Sequence, residues 1–227
     1  MKKRSKKYIE AKGAIESGKA YPLDEAIKLV KEQSKTKFDA GVEVHMRLGV
    51  DPKKAEQIVR GTLQLPHGTG KILTVAAFVQ QDQVEAIKKA GADVVGSDEL
   101  IKELKKTGKA NFDVAVAHPT MMKSLGPIAR MLGQKGLMPN PRNETVTAKV
   151  AETVAALKKG KSSFRTDATG NLHQLIGRVS FEDSALKENY MVFTDAIKKA
   201  KPTEAKGTYI QNITLSSTMG PGIKVSF

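Results

Sequence analysis

A glycine-rich segment, Gly68-Thr69-Gly70-Lys71, is the first candidate for chemistry, because glycine and lysine ahead of an apolar stretch are typical of phosphate-binding loops. The Walker pattern requires glycine at position 65 and serine or threonine at position 72, where the chain has Leu65 and Ile72. The dinucleotide-binding pattern fails as well, since its third glycine would fall at Leu73. These mismatches favour a flexible crossing between two domains over a nucleotide site.

Other residues that could support catalysis or metal binding lack suitable partners. The histidines do not have the i, i+4 spacing of a helical metal site, which favours separate exposed strand or loop positions for His45, His67, His118 and His173. Asp93 and Asp113 have no evident partner for acid or base chemistry. The chain contains no cysteine, which excludes disulfides, thiolate nucleophiles and cysteine-bound zinc. The sequence therefore predicts a protein that is not an enzyme, with no metal and no cofactor.

Two loop segments have compositions that suit RNA. The segment from Leu215 to Gly222 combines hydroxyl groups, a deformable methionine and glycines that permit close approach of the backbone. A hairpin turn explains the same glycines equally well. The segment from Gly133 to Arg142 contains two glycines, two prolines and two basic residues, and an ordinary loop is an alternative interpretation of it.

The charge of the chain predicts a polyanionic partner. Lysine and arginine total 38 against 24 acidic residues, a formal net charge of +14, which favours RNA, DNA or an anionic membrane surface. No stretch approaches the roughly 18 apolar residues of a membrane-spanning helix, and no apolar signal core follows the basic start. We therefore expect a cytoplasmic protein without a membrane partner. Aromatic residues make up only 5% of the chain, which disfavours a protein that tracks single strands by stacking.

The flanks of the chain have the pattern of an antiparallel α+β domain. The first flank predicts a helix from Tyr21, a half-buried strand over 42–48 with Glu43, His45 and Arg47 on its polar face, a short helix from Asp51, and a strand over 62–65. The second flank predicts a hairpin of strands 164–167 and 172–181, a helix over 184–199, and strands over 208–215 and 223–227.

The middle of the chain has a different period. Apolar strands over 72–79, 92–95 and 112–117 alternate with helices, which is typical of a parallel, three-layered α/β unit. Each flank alone is marginal in size for a stable core, whereas the two together make an ordinary domain. We therefore expect a discontinuous α+β domain with a mainly antiparallel sheet, 1–68 and 160–227, and an inserted Rossmann-like three-layer α/β/α domain, 69–159. Their net charges are +9 and +5, so the discontinuous domain is the better polyanion candidate.

Several motifs give the chain a specific resemblance to a known family. It resembles the bacterial ribosomal protein L-one family, the side-stalk protein of the large ribosomal subunit, over nearly its whole length. The matching segments include Lys37 to His45, Arg47 to Pro52, Leu65 to Lys71, Gly136 to Pro141, Ile176 to Phe181, and Ser216 to Gly222. Ala40-Gly41 departs from the bulkier β-branched or acidic residues that many relatives have there.

The resemblance implies a fold and a function. It implies a discontinuous first domain and a Rossmann-like second domain, which agrees with the pattern of the elements. It also implies a structural ribosomal protein that binds large-subunit ribosomal RNA at the mobile stalk, assists release of transfer RNA from the exit site, and represses translation of its own operon mRNA. The free protein is expected to be a monomer. The implied RNA-binding residues are Lys37, Phe38, Arg165, Thr166, Asp167, His173, Ser217, Thr218, Met219 and Gly220.

Two other functional classes are consistent with part of this pattern. A nucleotide-dependent enzyme could use the inserted parallel sheet, because such folds bind many cofactors at their strand ends. The missing phosphate motifs count against it. A DNA-binding repressor would share the positive charge, but the chain has no recognisable helix-turn-helix or basic zipper.

Overall fold

We describe a computed structural model of the chain that covers residues 5–16, 18–108 and 110–226. Its contacts divide the chain into two compact units, Met1–Gly70 with Ser162–Phe227, and Lys71–Lys161. Both crossings between the units lie two residues beyond the boundaries expected from the sequence.

The described residues form α-helices and β-strands. In order they are α1 (Lys6–Gly13), α2 (Leu23–Glu32), β1 (Gly41–Leu48), β2 (Arg60–Gln64), β3 (Val75–Phe78), α3 (Val84–Lys89), β4 (Val94–Gly96), α4 (Asp98–Thr107), β5 (Val114–Ala117), α5 (Ala129–Gln134), α6 (Val150–Lys158), β6 (Lys161–Arg165), β7 (Asn171–Arg178), α7 (Asp183–Lys199), β8 (Ile210–Ser217) and β9 (Ile223–Val225). The last residue of the final predicted strand, Phe227, lies outside the described residues.

The discontinuous unit contains a four-stranded sheet in the order β7-β1-β8-β9. Each pair of neighbouring strands in it is antiparallel, as predicted. The apolar side chains of β1 pack with those of α2 and α7 in one core, which includes Ile27, Val44 and Phe193. Alternation along β1 leaves Glu43, His45 and Arg47 on the opposite, open face of the sheet.

Two local predictions in this unit are wrong. Strands β6 and β7 do not form the predicted hairpin, since β6 pairs with β2 while β7 pairs with β1. The backbone N–H and the hydroxyl of Thr166 both donate to the Val59 carbonyl, which carries the end of β6 away from β7. The short helix from Asp51 is reduced to a 3-10 turn, Ala55–Gln57. The Gln57 side chain accepts the Asp51 backbone N–H, which stabilises a local loop in its place.

The inserted unit contains a three-stranded parallel sheet in the order β4-β3-β5. All four residues of the central strand are buried, because helices cover both faces of the sheet. Ala76 and Phe78 pack with α4 and α5, whereas Val75 and Ala77 pack with α3 and α6. The predicted parallel sheet is therefore confirmed, but its central strand begins later than expected because Ile72 is exposed.

The length and apolar character of the helices bear on whether any of them could cross a membrane. Among the described residues, no helix combines the length and apolar character needed to cross a bilayer.

Candidate nucleic-acid interface

The predicted RNA-binding residues lie near the two ends of strand β1, except for His173, which is opposite the middle of the strand. At its start, Lys37 and Phe38 precede the strand, and Val42 pairs with Ser217 of β8. At its end, Arg47 pairs with Asn171 at the start of β7. Five residue steps of extended strand separate the two ends by about 17 Å. The open polar face of the sheet occupies the space between them.

A groove of about 400 Å³ lies at the start of β1. Five of the ten predicted residues line it: Lys37, Phe38, Thr218, Met219 and Gly220. The side chains of Phe38 and Met219 are 57% and 79% exposed. Large apolar side chains are usually buried, so two exposed ones beside one groove make this groove a candidate contact surface. The structure therefore brings the loop before β1 and the turn after β8 together.

The turn after β8 holds Met219 in an unfavourable backbone conformation. Its φ is 70°, in the left-handed region that residues with a side chain rarely adopt. The Gly220 N–H donates to the Ser217 carbonyl at 2.8 Å and closes the turn. A Cβ atom at Gly220 would clash with the Ser217 hydroxyl, so a side chain at this position would force the Ser217 side chain to move. Ser217 itself is buried, and its carbonyl accepts the hydrogen bond that closes the turn.

The Thr218 hydroxyl is engaged within the protein. It accepts the Gly41 N–H at 3.1 Å and makes a longer contact with the Gly41 carbonyl at 3.3 Å. The Thr218 N–H donates to the same carbonyl at 2.9 Å. A Cβ atom at Gly41 would lie 3.3 Å from the hydroxyl, so the absence of a side chain there lets the turn sit close to β1. Thr218 therefore anchors the turn that presents Met219.

A pair of histidines lies at the centre of the open sheet face. His45 and His173 are opposite each other on β1 and β7, with their Nδ1 atoms 2.8 Å apart. The other ring nitrogen of His45 is 2.9 Å from the Ser216 hydroxyl. Burial and the neighbouring His173 lower the pKa of His45, and the Glu43 carboxylate opposes that shift. The two Nδ1 atoms bond through a single proton, so one ring donates and the other accepts.

The turn between β6 and β7 is organised by Asp167. Its carboxylate accepts the backbone N–H groups of Asn171 and Thr169, each at 2.8 Å. The hydrogen bond from Asn171 is the largest cause that lowers the pKa of Asp167 to about 2. Arg165 is exposed at this turn, whereas Thr166 is buried with its hydroxyl on Val59. Arg165 can therefore meet a phosphate, while Thr166 and Asp167 hold the turn in shape.

The glycine-rich segment before β3 does not form an open phosphate loop. The ammonium group of Lys71 donates to the Asp113 carboxylate at 2.9 Å, within the inserted unit. This hydrogen bond is the largest cause that lowers the pKa of Asp113. Among residues 5–16, 18–108 and 110–226, no group of three or more histidine or acidic side chains is placed to hold a metal ion.

The structure adds contacts and residues that local patterns did not indicate. His45 was expected to be an isolated strand histidine, yet it contacts His173 and Ser216. Its place on the polar side of an alternating strand was the available signal, but the register that brings His173 opposite is a long-range property. Tyr8 and Lys7 of α1 also line the groove. Lys7 ends the basic run at the start of the chain and Tyr8 belongs to no motif, and no local pattern indicated that α1 would pack there.

Comparisons of the sequence with protein families and with individual proteins agree on one family. Residues 30–221 match the model of the Ribosomal protein L1p/L10e family. The large ribosomal subunit protein uL1 of Kosmotoga olearia is 49% identical over 225 residues, which cover 99% of this chain and 97% of that protein. The protein of the same name from Thermobifida fusca is 51% identical over 223 residues, 98% of this chain and 94% of its own length.

Proposed function

Because the chain belongs to the Ribosomal protein L1p/L10e family, we propose that it is a structural component of the large ribosomal subunit that binds ribosomal RNA at the mobile side stalk. It works on the ribosome in the cytoplasm and is not an enzyme. The observation that carries the proposed RNA site is the groove at the start of β1, where exposed Phe38 and Met219 stand beside Lys37.

The site combines three kinds of contact with RNA. Lys37 and Arg165 attract phosphates of any sequence, and the net charge of +14 adds long-range attraction. Phe38 and Met219 pack apolar surface against a sugar or an unstacked base, which depends on the shape of the RNA. The open sheet face between them supplies polar groups from His173, His45 and Ser216. A structured RNA spanning both ends of β1 would use all three parts.

The two compact units have separate roles in this proposal. The discontinuous unit is the RNA-binding domain, and the inserted Rossmann-like unit interrupts it along the chain. The protein assists release of transfer RNA from the exit site as part of the stalk. It also represses translation of its own operon, since a leader RNA with the shape of the stalk RNA would compete for the same surface. Simultaneous binding of both RNAs to one monomer would contradict this mimicry.

Binding measurements at two salt concentrations test the RNA site. The probes are a side-stalk fragment of the large-subunit ribosomal RNA and an unrelated RNA duplex. Lys37→Ala should weaken both complexes similarly and reduce the salt slope by about one unit, because it removes one phosphate contact. Phe38→Ala should weaken the stalk complex by about tenfold and leave the duplex nearly unchanged.

The same measurements distinguish the alternatives. Equal losses on both RNAs after Phe38→Ala would remove the proposed shape recognition and leave only attraction to phosphate. Tighter binding of a DNA duplex than of the stalk fragment would favour the DNA-binding repressor. The nucleotide-dependent enzyme is disfavoured because Lys71 is paired with Asp113 within the inserted unit.

A further inference from the structure

Helix α1 forms a second wall of the groove at the start of β1. Ser5, Lys7, Tyr8 and Ala11 line the groove from this side. Specific contacts hold the helix in place: Ala11 is buried, and Lys35 pairs with Glu10 at 3.2 Å. The Ser5 hydroxyl accepts the Tyr8 N–H and caps the helix. The groove is therefore a recess between two walls, with Tyr8 on one and Phe38 and Met219 on the other.

The lining of this recess has a distinctive chemistry. An aromatic ring on each side and a deformable methionine supply flat and adaptable apolar surface. The lysines Lys7, Lys35 and Lys37 also line it, and Lys35 is held by Glu10. Its volume of about 400 Å³ falls within the roughly 300–1,000 Å³ of small-ligand sites. Apolar walls with lysines around them match a planar ring attached to a phosphate.

We propose that this recess is a subsite for one unstacked nucleobase of the bound RNA, with Tyr8 of α1 as a stacking surface. This inference rests on the proposed RNA-binding function and adds α1 to the site. A continuous duplex cannot enter the recess because its bases are paired and stacked, whereas a base from a loop or bulge can be turned out into it. The strained backbone of Met219 is consistent with a side chain held ready for contact.

A single subsite of this kind agrees with the low aromatic content of the chain. A protein that tracks a long single strand needs a series of stacking residues, whereas one recess needs only Tyr8 and Phe38. The neighbouring lysines would contact the phosphates on either side of the inserted base. The subsite would therefore recognise the presence of an unpaired nucleotide at one place in the RNA, while the open sheet face contacts the surrounding structure.

Variants of the full-length chain test the subsite against the side-stalk ribosomal RNA fragment. Tyr8→Ala should weaken binding by about fivefold to a hundredfold, the range expected for loss of one base–aromatic stack. Tyr8→Phe keeps the ring and should bind within about twofold of the unchanged protein. Lys12→Ala is the matched control, because Lys12 is an exposed residue of the same helix that does not line this groove.

A fluorescent base reports the contact directly. 2-Aminopurine is placed at each unpaired adenine of the fragment in turn, and other unpaired positions are replaced by it singly. One position should change its fluorescence on binding to the unchanged protein and lose that change with Tyr8→Ala. Circular dichroism and melting temperature verify that α1 and the fold persist in the variant.

The outcomes separate this inference from the proposed function. Normal binding of the fragment by Tyr8→Ala would overturn the subsite and leave the RNA-binding function intact. The groove would then be a candidate contact for another ribosomal protein. A loss with Tyr8→Phe as large as with Tyr8→Ala would also overturn it, because stacking does not need the hydroxyl. Failure of the unchanged protein to bind the fragment better than an unrelated duplex would overturn both.

Discussion

Thr218 illustrates how a side chain bonded within the protein can stabilise a candidate binding site. Its hydroxyl accepts the Gly41 N–H, so Thr218→Val should leave that amide without a partner and lower the free energy of unfolding by about 1–2 kcal/mol. RNA affinity of the folded variant should change by less than about threefold, because the hydroxyl is already engaged. Urea denaturation and RNA titration of the same preparation measure the two effects.

The control for this variant is Thr208→Val, at an exposed position before β8. It makes the same replacement of a hydroxyl by a methyl group, but away from the turn. The free energy of unfolding should change by less than about 0.5 kcal/mol. A tenfold loss of RNA affinity in Thr218→Val with unchanged stability would show instead that the hydroxyl contacts RNA directly.

The histidine pair predicts a pH dependence at the residue scale. Because the pKa of His45 is lowered in the folded protein, the unfolded chain binds more protons between that value and the ordinary 6.5. The stability associated with neutral His45 is therefore present above pH 6.5 and is lost as pH falls through the lowered pKa. NMR titration of the ring protons should find His45 titrating below 6.5.

Replacing His173 tests whether its ring lowers the pKa of His45. His173→Gln should raise the pKa of His45 toward its ordinary value, because one source of repulsion is removed while burial remains. His67→Gln alters a histidine that pairs with Glu188 and should leave the His45 titration unchanged. An unshifted pKa in the His173 variant would mean that the pair does not interact in solution.

The structure separates the predicted site residues by their surroundings, which the sequence did not indicate. Phe38 and Met219 were expected at the site, and the structure places both on one groove. The buried positions of Thr166 and Ser217 were not evident, because each lies on a strand or turn whose neighbour is distant in the chain. A hydroxyl has the same composition signal whether it faces RNA or a backbone carbonyl, so only the fold distinguishes the two.

At the scale of elements, helix α7 holds the crossing segment through a buried asparagine. The Asn189 side chain accepts the His67 N–H at 3.2 Å and donates to the carbonyls of Gly68 and Ile176 at 3.0 and 2.7 Å. Asn189→Ala should leave these backbone groups unpaired and lower the free energy of unfolding by about 2–4 kcal/mol. The midpoint of urea unfolding measures the loss.

A second variant on the same helix provides the comparison. Met191→Ala shortens a side chain that is 47% exposed, and its effect should stay within about 0.5 kcal/mol. A similar loss in both variants would show that helix propensity or general packing, and not the buried amide network, determines the stability of α7.

Most elements followed from local patterns, but helix α1, the turn after Asp51 and one strand pairing did not. Alternation predicted β1, and the long amphipathic pattern predicted α7 nearly to its ends. The Thr-Gly-Asn composition indicated a turn, and Asp167 organises a tight loop there. The pairing of β6 with β2 depends on contacts far apart in sequence, which no local pattern encodes.

At the scale of the whole molecule, the sequence indicated two cores through two different hydrophobic periods. The structure contains one core of residues from both flanks, and two smaller clusters on the faces of the parallel sheet. The two compact units follow the same division.

We expect the discontinuous unit to be an independent RNA-binding domain. Residues 1–70 joined by a short Gly/Ser linker to residues 162–227 should fold, because the largest core draws all its residues from these two segments. A single cooperative unfolding transition is expected by calorimetry. The joined flanks should retain affinity for the stalk RNA within about tenfold, since the groove and the histidine pair lie entirely within them.

The isolated inserted unit, residues 71–161, is the necessary comparison. It has a net positive charge and should bind RNA weakly, with equal affinity for the stalk fragment and an unrelated duplex. The joined flanks should prefer the stalk fragment, because selection requires the shaped surface around Phe38 and Met219. If the joined flanks were unfolded, or bound the fragment no better than the inserted unit, specific binding would require the whole chain and the assignment of the site to one domain would be wrong.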